Sequence, residues 1–168
     1  MSQTVTHAVD AGALVARLQA FLTGTPIATN HVHVLLACMP KSGSTYLAAT
    51  LEALPGFIHA SLVTGYERRE QELVPLRLLG FHDAHYVAQH HVRYSQPTAQ
   101  LMQYFGLRPV VLVRNLFDVC AILRDHLVGM KEMAMADVPD AYDDWDEARQ
   151  YAFIVDRIMP WYLNFHAT

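Results

Sequence analysis

The residues best placed to do chemistry are Lys41 and its neighbours in Met39-Pro40-Lys41-Ser42-Gly43-Ser44-Thr45-Tyr46. An apolar, β-prone run, Val32 to Cys38, precedes them, and a helix-compatible run, Tyr46 to Leu54, comes after. A strand, a short Gly/Ser/Thr loop with one lysine, and then a helix make a cradle for a phosphate. Loop amides and the positive helix N-terminus face the anion, while hydroxyls and the ammonium add donors. A second cation, Arg114, ends the β-branched run Val110-Val111-Leu112-Val113. Gln89-His90-His91-Val92 adds two imidazoles. With an ordinary pKa near ~6.5, a histidine is a sensible base for a hydroxyl at neutral pH. On a strand His90 and His91 point to opposite faces, so only one reaches a shared cleft.

The familiar nucleotide loop G-x-x-x-x-G-K-[ST] places its lysine after the last glycine. Here Lys41 precedes Gly43, and that pattern fails. A carboxylate ending a later strand would hold magnesium beside such a loop. The strand through Val113 ends instead in Arg114-Asn115. The site is therefore expected to hold phosphates by cations and hydroxyls, with no metal.

The elements that must position these groups are read from pattern and punctuation. Asp10 caps a helix over Ala11 to Leu22, with Leu14, Val15, Leu18, Phe21 and Leu22 on one face. Strands are expected at Val32–Cys38, Phe57–Ala60, Tyr86–His90 and Pro109–Val113. Helices are expected at Tyr46–Leu54, Glu67–Leu79, Pro97–Phe105 and Asn115–Met130, the last burying Leu116, Val119, Cys120, Leu123 and Leu127. Asp137 to Asp143 reads as an acidic loop, and Asp144 to Phe165 as a final helix kinked at Pro160. Alternating strands and helices predict one α/β domain over residues 1–168, with a mainly parallel sheet flanked by helices. The last helix either covers an open sheet edge or ends a chain shorter than its parent fold.

Composition narrows the partners. The chain has 168 residues, of which 52% are hydrophobic and 17% charged, values that fit a globular domain. A net charge of −4 without a basic block argues against nucleic acid as the main partner. Cys38 and Cys120 have no metal-like spacing and read as reduced thiols. No run reaches bilayer length, and Met1-Ser2-Gln3-Thr4 has no leader pattern, so a cytoplasmic protein without a membrane span is expected.

Together these segments resemble the sulfotransferase family that uses the donor 3′-phosphoadenosine 5′-phosphosulfate (PAPS). Pro40-Lys41-Ser42-Gly43-Ser44-Thr45-Tyr46 is similar to its first motif, P-K-[ST]-G-[ST]-[ST]-W, with tyrosine for tryptophan. The strand through Val113 with Arg114-Asn115-Leu116-Phe117-Asp118-Val119 resembles its second, R-[ND]-P-x-D-V. Gln89-His90-His91-Val92 looks like its K-T-H-[LV] segment. The resemblance covers roughly residues 32 to 127. It implies a P-loop-like three-layer sandwich that takes PAPS as cofactor and transfers its sulfuryl group to a hydroxyl or amine. The acceptor would be a small molecule, saccharide or lipid. It implies that Lys41, Ser42, Gly43, Ser44, Thr45 and Tyr46 hold the 5′-phosphosulfate end, that Arg114 holds the 3′-phosphate, and that His91 rather than His90 is the base. Three departures go with it. Leu116 replaces the motif's proline, Ile122 stands where a serine usually meets the 3′-phosphate, and the family's C-terminal R-K-G-x-x-G-[DN] segment is missing. The resemblance thus implies a domain lacking its C-terminal part.

Plainer readings stand beside these. Lys41 reads alternatively as an exposed loop residue, and Arg114 as one half of a solvated ion pair with Asp118 or Asp125. Asp118 reads as a first-turn helix stabiliser. Glu67, Glu70 and Glu72 are alternative bases but read as a solvated helix face. His31-x-His33 and His82-x-x-His85 have spacings compatible with zinc, without a cysteine or carboxylate to complete a set. Phe57, Tyr66, Phe81, Tyr86 and Tyr94 divide between core and an acceptor pocket, with core favoured for most, and Met130 to Met135 reads as a lid or a loosely packed helix end. The competing functions are a P-loop nucleotide kinase, which needs magnesium and a strand-end aspartate, and a weakly nucleotide-binding, inactive fragment of the sulfotransferase fold.

Overall fold

The computed structural model describes residues 10–64, 71–130 and 136–167. Four strands, β1 (His33–Cys38), β2 (Phe57–His59), β3 (His85–His90) and β4 (Leu107–Leu112), form one sheet in the order β2-β3-β1-β4. Every neighbouring pair is parallel. The central strand pairs His33 with Tyr86 and Leu107, and Ala37 with His90 and Val111.

Strand alternation divides the packing between the two faces. Leu35, Tyr86, Ala88 and Leu107 meet α1 (Ala11–Leu22), α3 (Pro75–Phe81) and α4 (Gln96–Phe105) through Leu18, Phe21, Leu78, Leu79 and Phe105. Leu36 and Val87 face α2 (Ser44–Glu52) through Ala48, Leu47 and Leu51. Each fully buried leucine stabilises this arrangement by about 2 kcal/mol. A separate apolar cluster gathers α5 (Leu116–Met130), a 3₁₀ turn (Asp140–Asp144), α6 (Glu147–Phe153), a π turn (Ile154–Ile158) and α7 (Met159–Ala167) around Met39. The fold is α/β with an all-parallel sheet flanked by helices, compatible with three layers. No helix among the described residues is long and apolar enough to cross a membrane.

Caps explain where most elements start. Asp10 accepts from the Gly12 amide, Ser95 from Thr98, and Asp146 from Arg149, each satisfying an amide that the first helical turn leaves without a partner. Gly106 closes α4 in the left-handed region. The helix expected over Glu67–Leu79 is corrected to Pro75–Phe81, with residues 67–70 outside the described residues. The amides of Gln71 and Val74 bond instead to the carbonyls of His91 and Leu62, and Pro75 fits the first helical turn because it has no amide to satisfy. The final helix starts at Glu147 rather than Asp144, because Asp140–Asp144 winds as a 3₁₀ turn. Pro160 is accommodated by the π turn just before it, where the Met159 amide reaches the Ile154 carbonyl. The helix α5 breaks at Val128 and Gly129. The last helix does not cover the β4 edge: Val111 is 66% exposed, and Pro109 within that strand suits an edge position. Tyr86 is core, Phe57 and Phe81 are half-buried, and Tyr94 is exposed. Tyr66 and residues 131–135 lie outside the described residues.

Histidines form much of the polar interior. His33 is fully buried, with its ring nitrogens against the carbonyls of Phe105 (2.9 Å) and His82 (3.1 Å). His82 Nε2 meets the Ala28 carbonyl at 3.2 Å, and His85 Nδ1 accepts from the Val32 amide at 3.0 Å. These bonds occupy both ring nitrogens of His33 and one nitrogen each of His82 and His85. No group of three potential metal ligands occurs among the described residues. Burial lowers the pKa of His33 and His82, and pushes His90 down to about 4.

Each of these folded-state values lies below the unfolded one, so the stabilisation is complete above pH ~6.5 and is lost as pH falls toward ~4. For His90 the loss reaches roughly 3 kcal/mol, at about 1.4 kcal/mol per pKa unit. Thermal unfolding midpoints should therefore drop steeply between pH 6.5 and 4.5. His90→Gln, which keeps an acceptor for the Leu62 amide, should flatten that dependence; an unchanged slope would show that His90 does not contribute to it.

Candidate anion-binding site

The parallel register brings three chain reversals to one end of the sheet. The loop after β1, the exit of β3 and the exit of β4 meet around a cavity of about 430 Å³. Its lining is Pro40, Lys41, Gly43, Ser44, Thr45, Gln89, His91, Arg114 and Ile122. None of these residues is a carboxylate.

The loop is built to expose polar groups toward this space. Ser42 is buried, and its hydroxyl donates to the Met39 carbonyl at 2.7 Å, closing a tight turn. This bond commits the Ser42 hydroxyl proton to the loop's own closure, and Ser42 does not line the cavity. Lys41 has φ +61 and Gly43 has φ +91. For lysine the left-handed region costs about 1–2 kcal/mol, a strain often found at working sites. Glycine adopts it freely. Ser44 and Thr45 then open α2, whose N-terminal amides and dipole favour an anion. Tyr46 is 80% exposed and stands outside the lining.

Gln89 and His91 lie two residues apart at the end of β3 and share a face, as alternation requires. Gln89 Nε2 donates to Ser44 Oγ at 2.8 Å, and the Ser44 side chain also hydrogen-bonds the Cys38 side chain. His91 Nδ1 lies 2.8 Å from the Cys38 carbonyl, an acceptor, so Nδ1 carries the proton in the neutral ring. Nε2 has no hydrogen-bond partner among the described residues, and it is then the basic nitrogen. Burial lowers the His91 pKa, partly offset by the Cys38 carbonyl. His90 turns the other way into the core, where Nε2 accepts from the Leu62 amide at 2.9 Å.

Arg114 leaves β4 and donates to the Lys41 carbonyl at 3.4 Å. No described carboxylate pairs with it; Asp125 and Glu147 pair with Arg124 instead, at 3.5 and 3.2 Å. Asn115 caps α5 by accepting from the Phe117 amide at 2.9 Å, and Asp118 occupies the first helical turn. Ile122, two turns along from Arg114, puts an apolar wall on the cavity. Burial lowers the Lys41 pKa, and burial together with the Lys41 charge lowers that of His126. Glu72 is exposed, while Glu67 and Glu70 lie outside the described residues.

The structure thus gathers Lys41, Gly43, Ser44, Thr45, His91 and Arg114 around one space, and leaves Ser42 and Tyr46 off its wall. Sequence reasoning missed Gln89 and His126 as neighbours of the site. Period-two alternation back from His91 was the available signal for Gln89. No family model matches the chain, and no curated protein or solved structure gives a significant match.

The loop strain is measurable. A Cβ added at Gly43 meets nothing within 4 Å, so Gly43→Ala tests backbone conformation alone. It should cost about 1 kcal/mol in urea unfolding. Lys41→Gly should be about 1 kcal/mol more stable than Lys41→Ala for the same reason. Equal stability of the two Lys41 variants would show that this loop stores no strain.

Proposed function

We propose that the chain is a sulfotransferase domain of P-loop-like architecture that moves a sulfuryl group from PAPS to the hydroxyl or amine of a small-molecule, saccharide or lipid acceptor, without a divalent metal. The observation that carries this reading is that Lys41, the Ser44–Thr45 helix start, His91 and Arg114, far apart in sequence, line one cavity with no carboxylate among its described lining residues. Two fixed cations, hydroxyl donors and a helix N-terminus suit a polyanion held directly by the protein. A magnesium-dependent kinase would instead need an acidic metal ligand at this wall.

In this mechanism the acceptor oxygen attacks sulfur while the bond from sulfur to the 5′-phosphate oxygen breaks. The electron pair of that bond goes to the leaving phosphate. Lys41 and the α2 amides offset the charge that develops there, and removing one such donor costs about 3 kcal/mol of transition-state stabilisation. Arg114 holds the 3′-phosphate. His91 Nε2 takes the acceptor's proton, and the Nδ1 contact to Cys38 keeps the imidazole oriented. Because burial lowers the His91 pKa, the base stays unprotonated below the usual ~6.5, and the acid limb of kcat/KM should lie below that pH.

Ile122 favours a second reading, a weak binder of the spent nucleotide, because an apolar side chain occupies wall that a phosphate-binding hydroxyl would otherwise use. Calorimetry with adenosine 3′,5′-bisphosphate separates the two. Metal-independent micromolar affinity supports the transferase, and millimolar affinity supports the weak binder. A response confined to ATP with Mg²⁺ would overturn both. Lys41→Met and Arg114→Met should each weaken binding at least tenfold, since each removes a charge-assisted hydrogen bond worth about 1.5–3 kcal/mol. Ile122→Ser should tighten it roughly fivefold by adding a neutral hydroxyl donor, worth about 1 kcal/mol. His91→Ala should abolish turnover while leaving bisphosphate affinity intact, and unchanged turnover would reject His91 as the base.

A further inference from the structure

We propose that Gln71 is a positioning residue that holds His91 as the Nδ1–H tautomer, with its Nε2 lone pair free for proton transfer at the cavity; this rests on the assignment of His91 as the base. The parallel ladder between β1 and β3 ends with Ala37 opposite His90. Beyond that pair His91 has left the strand, and its backbone groups need new partners. Gln71 supplies both. Its Oε1 accepts from the His91 amide at 2.9 Å, and its own amide donates to the His91 carbonyl at 3.4 Å. Gln71 is 5% exposed, and burial of a side-chain amide is unfavourable unless it is hydrogen-bonded.

This clamp has a chemical consequence. One step past the last ladder pair, His91 faces Cys38, and Nδ1 lies 2.8 Å from the Cys38 carbonyl and 3.8 Å from the Cys38 thiol. The short contact to the carbonyl exists only while the His91 backbone stays level with the end of β1. Gln71 is the side chain that fixes this level. Without its acceptor the His91 amide turns toward water, the imidazole swings off the Cys38 carbonyl, and the proton redistributes between the two ring nitrogens. Among the described residues, the polar and charged groups around His91 are Cys38, Gln71, Lys41 and Arg114 from other elements and Gln89 from its own strand. None of them is a carboxylate that would hold the ring in another tautomer.

The test reads the imidazole itself. Long-range ¹H–¹⁵N correlation spectra of the full chain above pH 7, assigned with His91→Gln, should show His91 protonated at Nδ1 in the native protein. In Gln71→Met, which keeps the length but loses the acceptor, the Nδ1–H share should fall at least threefold. Gln71→Glu keeps an acceptor oxygen and should restore it. A native His91 protonated at Nε2, or a tautomer unmoved in Gln71→Met, overturns the proposal. Loss of the tautomer in both variants overturns it as well, since that marks a merely structural residue. Should Gln71→Met fail to fold, amide exchange decides on the native protein: a protected His91 amide supports the clamp, and an unprotected one overturns it. If adenosine 3′,5′-bisphosphate does not bind while the tautomer obeys this pattern, the positioning role stands and the sulfotransferase reading falls.

Discussion

Parallel pairing of β1 with both β3 and β4 is the constraint on which the site depends. It forces the C-terminal ends of three strands to coincide, so the loop after Cys38, the residues after His90 and the residues after Leu112 converge. Register carries chemistry here as well as packing. A one-residue slip of β3 would turn Gln89 and His91 into the core and deliver His90 to the cavity. The burial of Tyr86 and Ala88 on one face, and of Val87 on the other, opposes that slip. The apolar pattern that builds the core therefore also selects which histidine meets the anion cradle.

Electrostatics then decides what the cavity can hold. Lys41 is partly desolvated, Arg114 leans on the Lys41 carbonyl, and no carboxylate among the described lining residues offsets either charge. Burial disfavours a cation in the empty site, and an anion reverses that balance by supplying a partner in a medium of reduced dielectric. His91 stays neutral for the same reason that Lys41 is disfavoured as an ion. Burial thus lowers the pKa of both the lysine and the imidazole on this cavity wall.

Most elements were legible because their signals are local. The apolar run through Cys38 and the β-branched run through Val113 announced strands, Asp10 and Gly106 marked helix ends, and the spacing of Val119, Leu123 and Leu127 gave the buried face of α5. That Lys41, His91 and Arg114 line one cavity was legible because each comes after a strand, and strand ends in a parallel sheet share one edge. What failed was non-local. The charge and leucine spacing of residues 67–79 reads as a helix, but Gln71 and Val74 spend their amides on His91 and Leu62, partners 20 and 12 positions away. The role of Gln71 depends on a contact that no periodicity encodes.

Among the described residues, the helices C-terminal to β4 contribute Ile122 to the cavity wall, and they also govern the loop from behind. Met39 is fully buried in their apolar cluster, beside Val119, Ile158 and Tyr162. Tyr162 donates its hydroxyl to the Pro40 carbonyl at 3.2 Å, and burial raises its pKa, which keeps the donor proton in place. The π turn sets the phase of α7 relative to α6, since one extra residue per turn rotates the downstream helix by about 100°. Without it Tyr162 would leave the face shared by Ile158 and Phe165 and lose Pro40. The strained Lys41 conformation is thus held from its N-terminal side, by β1 through Cys38 and by α7 through Pro40. Strain of this kind persists only where the surroundings over-determine it. The last helix is accordingly part of the candidate site in mechanical terms, although none of its described residues lines the cavity.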